Sequence, residues 1–119
     1  MTDKYRDDAI NGKTIRWTFT DGPVQGSTFE HTFDEDGIVV WRVVEGPAKG
    51  EAAREKEYSA LKVADEVYAV SYLGAKGYTL TVVLNLKDNN LVGFASNDKE
   101  WYPLRGTFEM LGKSKSGAV

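Results

Sequence analysis

His31 is the single histidine of the sequence, and it stands between Phe29 and Phe33 in the alternating run Phe-Glu-His-Thr-Phe. An imidazole titrates near neutrality, which makes this residue a candidate for general acid or base work. A histidine on an apolar strand face serves equally well as a core residue satisfied by a neighbouring strand. Arg42, at the end of Val-Val-Trp-Arg, is the second candidate. Turned inward, its guanidinium would hold a ligand carboxylate through paired hydrogen bonds; turned outward, it would pair with a residue such as Glu30. Apolar residues occupy both faces of its strand, so alternation leaves its direction open. Trp17, Phe19, Phe29, Phe33 and Trp41 offer apolar ring surface suited to a planar or aromatic small molecule, or else they fill the interior. Glu51, Tyr72 and Tyr78 complete a polar set for a cavity mouth, although the two tyrosines would also suit an exterior aromatic face.

Other chemistries have no residues to carry them. The sequence contains no Ser-His-Asp spacing, phosphate-cradling glycine loop or dinucleotide fingerprint. One histidine and no cysteine make a poor transition-metal set, so neither a metal nor a cofactor is expected. The lack of cysteine also removes disulfides and thiolate nucleophiles, in keeping with a reducing compartment. A net charge of −3 with no basic face argues against nucleic acid as a partner, and Lys113-Ser-Lys115 reads as a solvated tail. No run of about 18 apolar residues is present, so no membrane-crossing segment is expected. The opening Met-Thr-Asp-Lys-Tyr-Arg-Asp-Asp is polar with no apolar signal region behind it, which leads to an expected cytoplasmic location.

The elements that must position these residues are strands. With 119 residues the chain suits a single domain over residues 1–119, with residues 1–11 and 112–119 as loosely ordered ends. Residues 13–20 alternate cleanly, with Ile15, Trp17 and Phe19 on one face and Arg16, Thr18 and Thr20 on the other. Asp21-Gly22-Pro23 ends that strand and Asp34-Glu-Asp-Gly37 ends the next, residues 27–33. Further strands are predicted over residues 38–44, 66–73, 78–86, 91–96 and 102–111, with a hairpin loop at Gly74-Ala-Lys-Gly77. Residues 51–57 have helix-forming composition but too little length for a stable helix, and they run into an extended 58–63. We read the whole stretch as a strand. About eight short strands with hairpin-length loops predict an all-β, antiparallel up-and-down barrel, whose interior is either filled or holds one small ligand. Strands 38–44 and 78–86 carry apolar residues on both faces, so part of the outer wall should be covered by the N-terminal segment or, as we expect, by a second subunit in a homodimer.

Gly-Lys-Thr-Ile-Arg-Trp-Thr-Phe with the following Asp-Gly, Phe29-Glu-His-Thr-Phe33, Val-Trp-Arg42, Val-Tyr-Ala-Val-Ser-Tyr72, Tyr-Thr-Leu-Thr-Val-Val-Leu-Asn85 and Gly-Thr-Phe108 resemble the MoaF-like proteins. These are small bacterial proteins of the calycin group of lipocalin-like barrels. The resemblance runs over residues 11–111 and rests on strand patterns, so it implies a calycin barrel and no particular activity. Bacterial phenolic acid decarboxylases are more distantly similar. Their first-strand Tyr-x-Tyr pair is replaced here by Trp17 and Phe19, which carry no hydroxyl. Where they place an essential arginine after a glycine, this chain has Gly50-Glu51; where they place an acid, Ser71-Tyr72-Leu73 leads into Gly74. The likeness therefore implies the barrel without the decarboxylation. The expected function is binding of a hydrophobic or aromatic small molecule, with His31 or Arg42 as polar anchor. The alternative is a cofactor-independent lyase or isomerase, with His31 as acid–base and Arg42 holding an anionic group. A filled barrel serving as an interaction module is the third.

Overall fold

The alternation read from the sequence is realised as nine strands. In a computed structural model, which describes residues 5–74 and 77–113, they are β1 (Lys13–Asp21), β2 (Thr28–Phe33), β3 (Val39–Glu45), β4 (Ala52–Glu55), β5 (Tyr58–Ala64), β6 (Val67–Leu73), β7 (Thr79–Asn85), β8 (Asn90–Ser96) and β9 (Trp101–Lys113). They form one antiparallel sheet in the order β4-β3-β2-β1-β9-β8-β7-β6-β5. Apart from β1 beside β9, every paired couple of strands is consecutive in sequence, so the barrel is up-and-down and of the calycin type. Residues 75–76 of the expected hairpin loop and 114–119 of the expected tail lie outside the described residues. Among the described residues no helix is long and apolar enough to cross a membrane.

The ninth strand arises where one was expected over residues 51–63. β4 pairs with β3 through Trp41↔Ala53 and Arg42↔Ala52, whereas β5 pairs with β6 through Tyr58↔Tyr72. Alternating direction across nine strands makes β4 and β5 run the same way. They are successive halves of one extended run that changes partner at Lys56 and Glu57, and they form the two edges of the sheet. The N-terminal segment covers part of the β5 edge. Ala60 N–H donates to the Tyr5 carbonyl at 2.7 Å, and Asp7 N–H donates to the Ala60 carbonyl at 3.0 Å. Ile10 on that segment is fully buried in the core, so the expected loose end over residues 1–11 is packed against one end of the barrel from residue 5 onward, residues 1–4 lying outside the described residues.

Two inward-facing glycines let strands approach closely. A Cβ on Gly93 would collide with the Thr81 carbonyl, and one on Gly106 with the Thr18 carbonyl. On the outer wall of β9-β1-β2-β3, register lines up Glu109, Arg16, Glu30 and Arg42 in a row of alternating charge. Glu30 sits at its centre, 2.8 Å from Arg16 and 3.0 Å from Arg42. The outer face of β8 and β9 is different: Val92, Phe94 and Trp101 are half or more exposed.

Candidate functional site

The barrel interior is solid at one end and hollow at the other. Ile10, Ile15, Phe33, Tyr58 and Leu84 are almost wholly excluded from solvent and belong to one packed cluster. The other end contains a cavity of about 510 Å³, within the size range of small-molecule sites. β1 and β2 present Trp17, Phe19, Phe29 and His31 to it, and β3 presents Trp41. Tyr72, Leu80 and Leu104 complete the inner wall, while Tyr78, Tyr102 and the loop residues Pro23 and Val24 stand at the more exposed rim. The rings contact one another closely. Trp17 and His31 lie 4.0 Å apart between centroids, Phe29 and Trp41 5.8 Å, and Phe19 meets Phe29 edge-on at 5.6 Å.

Polar groups in this wall are few and buried. His31 Nε2 and the Tyr72 hydroxyl are 2.7 Å apart. Either Tyr72 donates to Nε2 and the proton rests on Nδ1, or Nε2–H donates to the phenol oxygen. Neither His31 Nδ1 nor Trp17 Nε1 has a hydrogen-bond partner among the described residues, although both atoms are buried. Burial takes the His31 pKa down from 6.5 to about 3 and pushes the Tyr72 hydroxyl up, so both side chains are neutral at neutral pH. Glu55 is also buried, and Trp41 Nε1–H donates to its Oε2 at 3.0 Å. At the rim the Tyr78 hydroxyl donates to Glu100 Oε2 at 2.5 Å. That hydrogen bond pushes Tyr78 up to about 12 and holds the Glu100 carboxyl below its usual range.

The MoaF-like family model matches residues 11–109, a span that contains every cavity-lining residue named above. The chain belongs to the MoaF-like family. A search of curated proteins gives no match. Among solved structures, the crystal structure of "a putative beta-lactamase from Burkholderia vietnamiensis" is similar, with a TM-score of 0.75. The likeness covers 89% of this chain and 98% of that chain at 21% sequence identity, and it shows a shared fold.

Of the residues singled out in the sequence, this MoaF-like barrel brings Trp17, Phe19, Phe29, His31, Trp41, Tyr72 and Tyr78 together around one cavity. Three others stand elsewhere. Phe33 lies beneath the floor, stacked on His31 at 5.8 Å and edge-on to Tyr58 at 4.9 Å, with no exposed surface. Arg42 points outward, where Glu30 across the strand pair holds it, so it is not an interior carboxylate clamp. Glu51 is exposed in the loop before β4 and is absent from the cavity wall. The acid that does reach the wall is Glu55. Its register against Val39, with Ala53 against Trp41, puts both residues on the inward face. Strand character, expected for this stretch, leaves the face of Glu55 open; the pairing of β4 with β3 decides it. Tyr102, Leu80 and Ala95 were also missed, although all three follow from strand alternation once β7, β8 and β9 are placed. Among the described residues, no group of three or more His, Cys, Asp or Glu is arranged to hold a metal ion.

Proposed function

We propose that the chain binds a hydrophobic or aromatic small molecule in the open end of its barrel. The cavity itself carries this reading: about 510 Å³ of space bounded by aromatic rings, above a cluster of buried side chains that includes Ile10, Phe33 and Tyr58. Close packing is the rule in protein interiors, and an unfilled apolar space costs stability. Among the residues of its wall, Trp17 Nε1–H and His31 Nδ1 are buried polar atoms with no hydrogen-bond partner among the described residues. Leaving such atoms without a partner costs about 1–3 kcal/mol each.

The second reading, a cofactor-independent lyase or isomerase, draws on the Tyr72–His31 hydrogen bond beside Glu55. It is the weaker of the two. A histidine held neutral down to about pH 3 is a poor base at neutral pH, and Arg42 is outside the cavity. The neighbour's description as a beta-lactamase adds nothing to it. Among the described residues the cavity wall contains no serine, and the Ser-x-x-Lys run at Ser59–Lys62 lies on β5, where an offset of three sends the two side chains to opposite faces.

A thermal-shift screen against phenolic acids, flavonoids, aromatic amines and fatty acids separates the readings. A ligand at a hundred times its dissociation constant stabilises by about 2.7 kcal/mol. A lasting shift supports binding. One that decays as the compound is converted supports the enzyme, and no shift from any class removes the pocket. We place this function in the cytoplasm and in a homodimer. The apolar outer face at Val92, Phe94 and Trp101 would meet its own copy, and a monomer mass by light scattering would remove the dimer.

A further inference from the structure

We propose that Glu100 is the positioning residue of the cavity mouth: it ties the hydroxyls of Tyr78 and Tyr102 together and so sets how fast a ligand enters and leaves the barrel. The inference rests on the binding function proposed above and adds the residue that governs access to that site. Both tyrosines line the cavity, from opposite sides of β8. Tyr78 precedes β7 on the inward face it shares with Leu80, and Tyr102 stands on β9. Between them β8 presents Ala95, in register with Leu80 on one side and Tyr102 on the other. A methyl group cannot close that stretch of wall, so the two rings close it, with their centroids 6.3 Å apart.

Tyrosines at a partly exposed rim keep their place when their polar ends are held. Here one carboxylate holds both. The Tyr78 hydroxyl donates to Glu100 Oε2 at 2.5 Å, and the Tyr102 hydroxyl donates to the same side chain. Each bond favours the protonated phenol, which pushes both tyrosines up, Tyr78 to about 12. A carboxylate accepts several such bonds and makes them stronger than a neutral acceptor does. Glu100 is itself fixed by its turn. Asn97 Oδ1 accepts from the backbone N–H groups of Lys99 and Glu100 at 2.9 Å, and Asn97 N–H donates to the Glu100 carbonyl at 2.8 Å. This turn between β8 and β9 sets the carboxylate across the end of β8 from Tyr78. Glu100 is exposed, and water competes for its bonds, so the clasp opens and recloses as an entrance requires.

Stopped-flow fluorescence with N-phenyl-1-naphthylamine on the whole protein tests this. In Glu100→Ala the association and dissociation rate constants are expected to rise together by about threefold or more, with the equilibrium affinity within about twofold. An untied entrance speeds traffic in both directions. Tyr78→Phe, which keeps the ring and loses the hydroxyl, should move both rates the same way. Unchanged rates in either variant overturn the inference and leave the binding function standing. A loss of affinity carried by dissociation alone also overturns it, because Glu100 would then belong to the binding surface and not to its entrance. Titration of the phenols by ultraviolet absorbance gives a check without ligand. A tyrosine that ionises at about pH 12 in the unaltered protein should ionise near its ordinary value of about 10 in Glu100→Ala, and no such change contradicts the clasp. If the probe does not bind the unaltered protein, the binding function falls and this role of Glu100 falls with it.

Discussion

The same strands line both ends of this barrel with residues of the same kinds, yet one end is filled and the other is hollow. The difference lies in what stands opposite the large rings. At the filled end Phe33 meets Tyr58 and Trp17, and the N-terminal segment adds Ile10. At the hollow end Trp17 faces Phe29 and His31 faces Trp41, but other large side chains are paired with small ones. Trp41 is opposite Ala53, and Ala95 lies between Leu80 and Tyr102. With no bulky partner to interdigitate, the rings stand around a space instead of closing it. The size of the neighbours, more than the count of aromatics, decides whether a barrel interior is a core or a pocket.

The largest effect should come from the filled end. Phe33→Ala is expected to lose about 3–5 kcal/mol in denaturant unfolding, because a fully enclosed ring leaves a cavity behind. Phe29→Ala, in the half-buried wall of the pocket, should cost markedly less. Equal losses would break the contrast between the two ends.

Next in size is a pH effect from the floor between them. The folded His31 pKa is near 3 against an ordinary 6.5, so the unfolded chain binds the extra proton between those values. Stability should therefore fall as the pH drops from about 6.5 towards 3, with His31 contributing up to about 1.4 kcal/mol per pH unit. Comparison with His31→Phe isolates this contribution from those of the carboxylates. An unchanged slope in the variant would show that the imidazole is not held neutral.

Smaller still is Ala95→Phe, which fills the hollow end. It should be neutral or stabilise by up to about 1 kcal/mol in thermal unfolding, since it enters vacant space. A large destabilisation would mean that the space is not there. Arg42→Ala should change least, by about 0.5 kcal/mol or less, because its partner Glu30 is shared with Arg16 on an exposed wall. Ligand affinity measured on that variant should not move.

Much of this arrangement was legible in the sequence. The alternation around Trp17 and His31 identified the inward face of β1 and β2, and the turn signals gave up-and-down order. What alternation cannot supply is depth along the barrel. Phe33 and Phe29 share a face with His31, but one is under the floor and the other in the wall, because tilt and the Ile10 segment set where the filling stops. Arg42 was undecided for a different reason. Val40 beside it is apolar, so the direction follows only from its cross-strand partner Glu30. Glu55 was hidden because a strand over residues 51–63, as expected, has no fixed inward face until its pairing partner is known, and β4 takes its register from β3.

The most direct test of the hollow end is titration with a neutral fluorescent probe, N-phenyl-1-naphthylamine, against the unaltered protein and two variants. Saturable binding to one site is expected, lost in Ala95→Phe and kept in Phe33→Leu. Failure of the probe to bind the unaltered protein, or equal binding to Ala95→Phe, would contradict a ligand site at that end of the barrel.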